Sequence, residues 1–148
     1  MFKLSTKERY ALRAMIELAV REGHGYVPLA ELAKAQGISP KYLEQLAIPL
    51  RNAGLVRSER GPNGGYELAR LPHEITALDI VSAIAGPLDL LKCIESADAC
   101  ERSQTCAARK LWKKLSESIA AVLVESTLAE LRNDQQTACA ASALSYSI

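Results

Sequence analysis

Residues 29–66 read LAELAKAQGISPKYLEQLAIPLRNAGLVRSERGPNGGY and predict a helix, a tight turn, a second helix and a two-stranded ribbon. Gly37 stands where a left-handed residue would end the first helix. Ser39 can cap the second helix, and Pro40 suits its first position, where no backbone donor is needed. Gly54 is expected to close the second helix before a strand begins. This order of elements is the layout of a winged helix-turn-helix.

The second helix is predicted to have one apolar and one polar face. Its apolar positions follow helical spacing and are expected in the core: Leu43, Leu46, Ala47 and Leu50. Side chains that can hydrogen-bond to bases or phosphates occupy its start and its opposite face: Ser39, Lys41, Tyr42, Glu44, Gln45 and Arg51. Pro49 is expected to kink or shorten the helix near its end.

The ribbon is the stronger signal for a DNA-binding wing. Arg57 and Arg60 approach a turn at 61–65 that holds three glycines and Asn63, and these residues permit positive φ angles. Arginines beside such a tip suit a phosphate backbone or a minor groove. We therefore predict DNA contacts from four wing residues: Arg57, Arg60, Asn63 and Gly64. The alternative is a surface hairpin on a protein-binding module.

Charge is distributed unevenly along the 148 residues, although the net charge is only +1. Residues 1–70 hold 11 Lys and Arg against 7 Asp and Glu, whereas residues 71–148 hold 7 against 10. A positive amino-terminal half suits a nucleic-acid partner. Because the N-terminus lacks an apolar run and no stretch approaches a membrane span, we expect a cytoplasmic protein with no membrane partner and with reduced cysteines.

A further helix is predicted before the helix-turn-helix, from Ser5 or Thr6 to about Glu22. Its apolar stripe is formed by Ala11, Ala14, Met15, Leu18 and Ala19. Three cations cluster at its start, either near a passing DNA backbone or on a merely solvated face: Lys7, Arg9 and Arg13. The first domain, a winged helix-turn-helix, is predicted to span 1–72.

The second half is predicted to contain a dimerisation helix. A capping box at Thr76 and Asp79 starts one helix, and a loop with three cysteines follows it. A long helix then runs from about Cys106 to Glu125. Its apolar residues recur at alternating spacings of four and three, the seam of a helix that packs against a partner helix: Trp112, Leu115, Ile119 and Val122. We expect a homodimer, which would match a palindromic operator.

A short helix from Thr127 is predicted to end the ordered part of the chain. Residues 73–132 would form the second unit, with its helix, cysteine loop and dimerisation helix. Residues 133–148 are small and polar, and they predict a flexible tail. The fold class is therefore mainly α with a small β-wing.

Three cysteines occupy the loop before the long helix. Cys93, Cys100 and Cys106 are separated by six and five residues, and the last stands at a helix N-terminus, where a thiolate is favoured. Soft thiolates suit an iron–sulfur cluster or zinc, but the spacing is not C-x-x-C, and three ligands leave a cluster site incomplete. A redox-active disulfide or three inert thiols remain alternatives.

The chain resembles the iron–sulfur-responsive winged-helix regulators of the IscR and NsrR type from Met1 to about Leu131. The resemblance is carried by LSTKERYALRAM, ISPKYLEQL, AGLVRSERGPNGGYELA, the three cysteines before a Trp-bearing helix, and TLAEL. It implies a homodimeric, cytoplasmic transcription regulator whose cluster changes its DNA affinity. By position, the cluster ligands would be Cys93, Cys100 and Cys106, and the base-reading residues would include Tyr42, Glu44, Gln45 and Arg60.

Two departures from the family pattern concern the cluster. The first cysteine spacing is one residue longer than the commonest form. IscR-type members place a His three residues after the last cysteine, and this chain has Arg109 there. A fourth ligand would then come from Glu8 of a partner subunit, from Cys139 or from a small molecule. A 2Fe–2S cluster is favoured over 4Fe–4S.

The predicted function is a DNA-binding repressor or activator controlled by a cluster that senses redox state, iron, nitric oxide or cluster supply. The alternative is a cluster-free member controlled by thiol oxidation or by a protein partner. Catalysis is not expected, because the chain lacks a Cys–His pairing, a phosphate-binding glycine loop after a strand and a helical H-x-x-x-H.

Overall fold

The computed structural model describes residues 4–88 and 90–146. The helices and strands in that part of the chain are α1 Thr6–Val20, α2 Leu29–Gln36, α3 Pro40–Asn52, β1 Val56–Glu59, β2 Gly65–Leu68, α4 Ala77–Ala85, α5 Lys92–Glu95, α6 Ala107–Glu125 and α7 Leu128–Ser145. The mainly helical fold with one small sheet is the predicted fold class.

Local signals place the first three helices where they were predicted. Ser5 caps α1, and its Oγ accepts a hydrogen bond from the Lys7 N–H at 3.2 Å. The predicted apolar stripe of α1 is buried in the core. Gly37 ends α2 with a left-handed φ of 66°, and Ser39 caps α3 by accepting from the Tyr42 N–H at 3.1 Å.

Helix α3 keeps its predicted faces and is not shortened by Pro49. All four predicted apolar positions are buried: Leu43, Leu46, Ala47 and Leu50. The helix continues past Pro49 to Asn52. Pro49 has no N–H to bond the preceding turn, but its carbonyl still accepts a bond from the Ala53 N–H at 3.0 Å, so the last turn is kept.

The wing is an antiparallel ribbon that is attached to the core at its return strand. Val56 pairs with Leu68, and Glu59 pairs with Gly65. Val27, which precedes α2, makes a single bridge with Tyr66, with nitrogen-to-oxygen distances of 2.8 and 2.9 Å. The return strand of the wing is therefore held by backbone outside the ribbon.

Helices α4 and α7 contribute to the same core as the helix-turn-helix. Thr76 and Asp79 form the predicted capping box at the start of α4. Ile75, Ile80 and Leu128 are fully buried together with the apolar stripe of α1. The loop after α4 is more structured than predicted, because it contains α5 and a short 3-10 turn at Ala97–Ala99.

The predicted end of the last helix, near residue 132, was wrong. Helix α7 continues to Ser145, through residues expected to form a frayed tail. No Gly or Pro interrupts this segment, and its alanines are strong helix formers. Residues 133–146 are all exposed, so composition predicted their solvation but not their helicity. No helix among the described residues is long and apolar enough to cross a membrane.

Candidate DNA interface and cysteine loop

The outer face of α3 presents polar side chains to solvent. Lys41, Glu44 and Gln45 are exposed, as is the capping residue Ser39, whereas Tyr42 is half-buried. None of the three exposed helix residues forms a side-chain hydrogen bond or ion pair among those identified in the described part of the chain. These donors and acceptors are free to meet base edges or phosphates.

The two wing arginines, which the sequence does not distinguish, differ in their ion pairing in the structure. Arg57 lies opposite Glu67 in the ribbon, and its Nε donates to the Glu67 Oε1 at 2.7 Å. Arg60 lies just beyond β1, is exposed, and has no carboxylate within 4.0 Å in the described residues. The Arg60 guanidinium is therefore the more available of the two for DNA.

The tip of the wing depends on glycine for its shape. Gly64 donates from its N–H to the Gly61 carbonyl at 3.0 Å, and a Cβ on Gly64 would overlap the carbonyl of Glu59. Gly65 has a φ of 149°, and a Cβ there would overlap the carbonyl of Val27. The conformation of the tip thus requires glycine at position 64. This requirement accounts for Gly64, which was predicted as a DNA contact, whether or not it touches DNA.

An aromatic contact joins α1 to α3. The rings of Tyr10 and Tyr42 meet edge to face, with centroids 6.1 Å apart and an interplanar angle of 88°. The guanidinium carbons of Arg9 and Arg13 each lie 5.4 Å from the Tyr10 ring centroid. Tyr10 was not among the predicted site residues, although its position beside Arg9 and three residues before Arg13 could have indicated this cluster.

The three thiols of the cysteine loop form no disulfide in the structure and are at least partly exposed. Cys93 in α5 and Cys106 at the start of α6 are half-buried, and Cys100 is exposed. All four cysteines are free. Thiol chemistry suits a cluster, but the described residues contain no group of three His, Cys, Asp or Glu side chains that could hold an ion. The described arrangement of the loop therefore does not fit a cluster.

Arg109 takes a structural role at the position where IscR-type members have a His. Its Nε donates to the Cys93 carbonyl oxygen at 2.6 Å, so the side chain holds the loop against α6. Guanidinium has no lone pair to offer a metal. This contact between distant residues was not predicted from the sequence.

The other predicted ligands are already engaged within the chain. Glu8 is 8% exposed and accepts a hydrogen bond from the Ser5 hydroxyl. Burial alone would raise the pKa of the Glu8 carboxyl, but hydrogen bonds from Ser5 and from backbone N–H groups outweigh burial and lower that pKa. The Cys139 sulfur accepts from the Gln135 Nε2 at 3.2 Å on exposed α7.

Helix α6 leaves its predicted seam uncovered within one chain. Trp112, Leu115 and Val122 are 39%, 42% and 62% exposed, and Ile119 is half-buried. Two apolar residues outside the predicted seam, Leu111 and Val124, are also exposed. In contrast, Ser116 faces inward and donates from Oγ to the Leu88 carbonyl at 3.4 Å.

Backbone hydrogen bonds connect the segment after α6 with the start of α4, and an ion pair connects α7 with the end of α1. The Ala77 N–H donates to the Ser126 carbonyl at 2.8 Å, and the Leu128 N–H donates to the Ile75 carbonyl at 2.8 Å. Arg132 on α7 pairs with Glu22 just beyond α1 at 2.8 Å. A shift of α6 must therefore move the start of α4 or break these bonds.

In the comparisons with known proteins, the matching family and the similar proteins are transcriptional regulators. Residues 4–134 match the Rrf2 family model, described as an iron-dependent transcriptional regulator. The HTH-type transcriptional regulator IscR of Erwinia tasmaniensis is 42% identical over 134 residues, which cover 90% of this chain and 81% of that protein.

Solved structures with similar folds include two kinds of regulator. The structure of CymR, titled the global cysteine regulator of B. subtilis, matches with a TM-score of 0.76 and 43% identity, covering 90% of this chain and 98% of that one. IscR of T. potens matches with a TM-score of 0.75 and 39% identity, covering 93% and 90%.

Proposed function

The chain belongs to the Rrf2 family of DNA-binding transcriptional regulators, and we propose that it binds a palindromic operator as a homodimer and is controlled through its cysteine loop. The observation that best supports DNA recognition is the exposed polar face of α3. Beside it lies a wing whose Arg60 has no carboxylate partner in the described residues. A role as a cytoplasmic regulator, and not an enzyme, follows from this proposal.

In the proposed complex with DNA, α3 lies in the major groove and the wing lies along the minor groove of each half-site. Base contacts come from the α3 face, with Ser39, Lys41, Tyr42, Glu44 and Gln45. Arg60, Asn63 and Gly64 approach the backbone or the minor groove, and Arg57 contributes less because Glu67 engages it. The division at 1–72, 73–132 and 133–148 stays a prediction.

The proposed dimer forms along α6. Its exposed seam supports this assignment, since Trp112, Leu115 and Val122 would be covered by a second copy. Both α6 helices would then set the distance between the two recognition helices. The hydrogen bonds between the end of α6 and the start of α4 support a route by which the loop changes DNA affinity.

The proposed input is an iron–sulfur cluster held by Cys93, Cys100 and Cys106, with 2Fe–2S favoured over 4Fe–4S. The family description and the thiol donor set support it. The described loop would have to rearrange for the thiols to converge, so we derive no step of regulation through the cluster. The signal would be redox state, iron, nitric oxide or cluster supply.

A second candidate is a cluster-free regulator that responds to thiol oxidation or to a protein partner. Two observations favour it: Arg109 replaces the expected His and ties down the loop, and CymR is among the similar structures. Without a cluster, the three free cysteines would be the sites of oxidation.

Purification without oxygen, followed by a visible spectrum and iron and sulfide analysis, separates the two inputs. Charge-transfer bands with about two or four irons per subunit support the cluster. A colourless, iron-free protein that still binds DNA as a dimer supports control by thiol oxidation or by a protein partner. Failure of the purified protein to bind any duplex, with or without a cluster, would contradict the proposed regulator itself.

A further inference from the structure

We propose that Arg9, Tyr10 and Arg13 form a phosphate clamp on α1 that grips the DNA backbone beside the groove entered by α3. Arg9 and Arg13 supply the donors, and Tyr10 positions them. The inference rests on the proposed function, because it adds a second contact to the same DNA interface.

The first support is the arrangement of two guanidinium groups around one ring. The Cζ atoms of Arg9 and Arg13 are each 5.4 Å from the Tyr10 centroid, a distance at which a cation is attracted to an aromatic ring. The ring restrains two long side chains that would otherwise lose rotamer freedom on binding. Neither guanidinium forms an ion pair within the described residues, so its planar set of N–H donors is available to a phosphate.

The second support is the contrast between the two ends of α1. Arg21 at the far end donates to Glu17 at 2.7 Å and to Glu31 at 3.0 Å. Arg9 and Arg13 are exposed, and neither has a carboxylate within 4.0 Å in the described part of the chain. Within the described residues, the arginines in the amino-terminal half of α1, which contacts α3, therefore lack a carboxylate partner, whereas Arg21 has two.

The third support is the contact between Tyr10 and Tyr42. Tyr42 lies in the first turn of α3, where its N–H donates to Ser39, and its ring meets Tyr10 edge to face. The two arginines are thereby fixed relative to the helix that reads the bases. Helix-turn-helix proteins commonly set their register on DNA by backbone contacts from an element beside the recognition helix. The position of the cluster thus favours DNA phosphate over an acidic protein partner.

The salt dependence of DNA binding tests the clamp. A fluorescein-labelled duplex of mixed sequence is titrated with full-length protein across a series of KCl concentrations, and affinity is read by fluorescence anisotropy. Each lost phosphate contact should reduce the slope of log K against log salt by about 0.9. We expect the double variant Arg9→Ala/Arg13→Ala to lose about 1.8 in slope per bound subunit. Arg21→Ala, the matched control just beyond the far end of α1, should keep the wild-type slope.

The ring is tested separately. Tyr10→Leu should weaken binding while both arginines remain, and the conservative variant Tyr10→Phe should recover most of that loss because the ring is kept. Circular dichroism melting identifies any variant that is unfolded, and Tyr10→Phe retains a test if Tyr10→Leu does not fold. An equal affinity for Tyr10→Leu and wild type would remove Tyr10 from the clamp.

The outcomes distinguish the clamp from the proposed function. If wild type binds the duplex, Arg60→Ala weakens binding, and the double variant keeps the wild-type slope, the clamp is wrong and the regulator stands. If the double variant loses affinity for an acidic protein but not for DNA, the clamp belongs to another partner. If wild type binds no duplex, the proposed function and the clamp fail together.

Discussion

Arg109 donates a hydrogen bond from Nε to the backbone carbonyl oxygen of Cys93 at 2.6 Å. The two residues are 16 positions apart, so this contact closes the cysteine loop onto the first turn of α6. A charged donor that is half-buried makes a stronger bond than a neutral one. The residue that replaces the expected His therefore restrains the loop that carries Cys93, and it couples the loop to the proposed dimer helix.

Removal of this restraint should expose Cys93 to thiol reagents. In Arg109→Ala, the lost hydrogen bond to a charged group costs roughly 1.5–3 kcal/mol of local stability. We expect iodoacetamide to alkylate Cys93 several times faster than in wild type, as followed by peptide mass spectrometry. Cys139 provides an internal reference, and Lys110→Ala is the neighbouring exposed control. Equal rates at Cys93 would show that Arg109 does not restrain the loop.

The two wing arginines should contribute unequally to DNA affinity. Arg60→Ala removes a guanidinium without a carboxylate partner in the described residues and should weaken specific binding by ~1–3 kcal/mol if it reads a base. Arg57→Ala should have a smaller effect, because Glu67 already engages that side chain. An operator selected from a random duplex library with the wild-type protein allows both affinities to be measured. A larger loss for Arg57→Ala would reverse this assignment.

A charge on the exposed face of α6 should dissociate the dimer. Val122→Glu would bury an unpaired carboxylate in the proposed interface, a change that is strongly unfavourable. Sedimentation velocity should show wild type at twice the 16.0 kDa of one chain and the variant at that single mass. Ser118→Glu adds the same charge to another exposed position of α6 and should remain dimeric. A monomeric wild type would exclude the dimer.

Gly65 should not tolerate a side chain. Gly65→Ala combines an unfavourable positive φ with overlap between the new Cβ and the Val27 carbonyl. We expect a loss of more than ~1 kcal/mol in the free energy of unfolding, measured by urea denaturation. Asn63→Ala, at the exposed tip of the same wing, should change stability little. Similar urea midpoints for Gly65→Ala and wild type would mean that the contact between the return strand and Val27 can shift.

The ionised carboxyl of Glu8 should stabilise the fold at neutral pH. Because its pKa is lowered in the folded state, this contribution is present above the ordinary value of 4.5 and is lost as the pH falls through the lowered pKa. The stability difference between wild type and Glu8→Gln should therefore shrink below pH 4.5. Urea denaturation at several pH values measures it, with Glu101→Gln as the exposed control. A difference that does not vary with pH would contradict the lowered pKa.

Interactions within a few residues of one another could be predicted well. Ser5, Ser39 and Thr76 cap their helices as expected, and Gly37 ends α2, because these signals act within one turn of backbone. The spacing of apolar residues also identified the buried face of α3. The frayed tail was predicted from polarity, and here the helix propensity of its alanines was underestimated.

The family and the outline of the DNA-reading half were thus determined by the sequence alone, since turn glycines, caps and apolar periodicity are local properties of the chain. Only the tertiary structure distinguished Arg57 from Arg60, because the pairing of Arg57 with Glu67 depends on strand register. Likewise, it alone brought Tyr10 to Tyr42 and Arg109 to Cys93. These contacts join residues far apart in the chain, and packing of α1 on α3 and of the loop on α6 decides which side chains remain available for a partner.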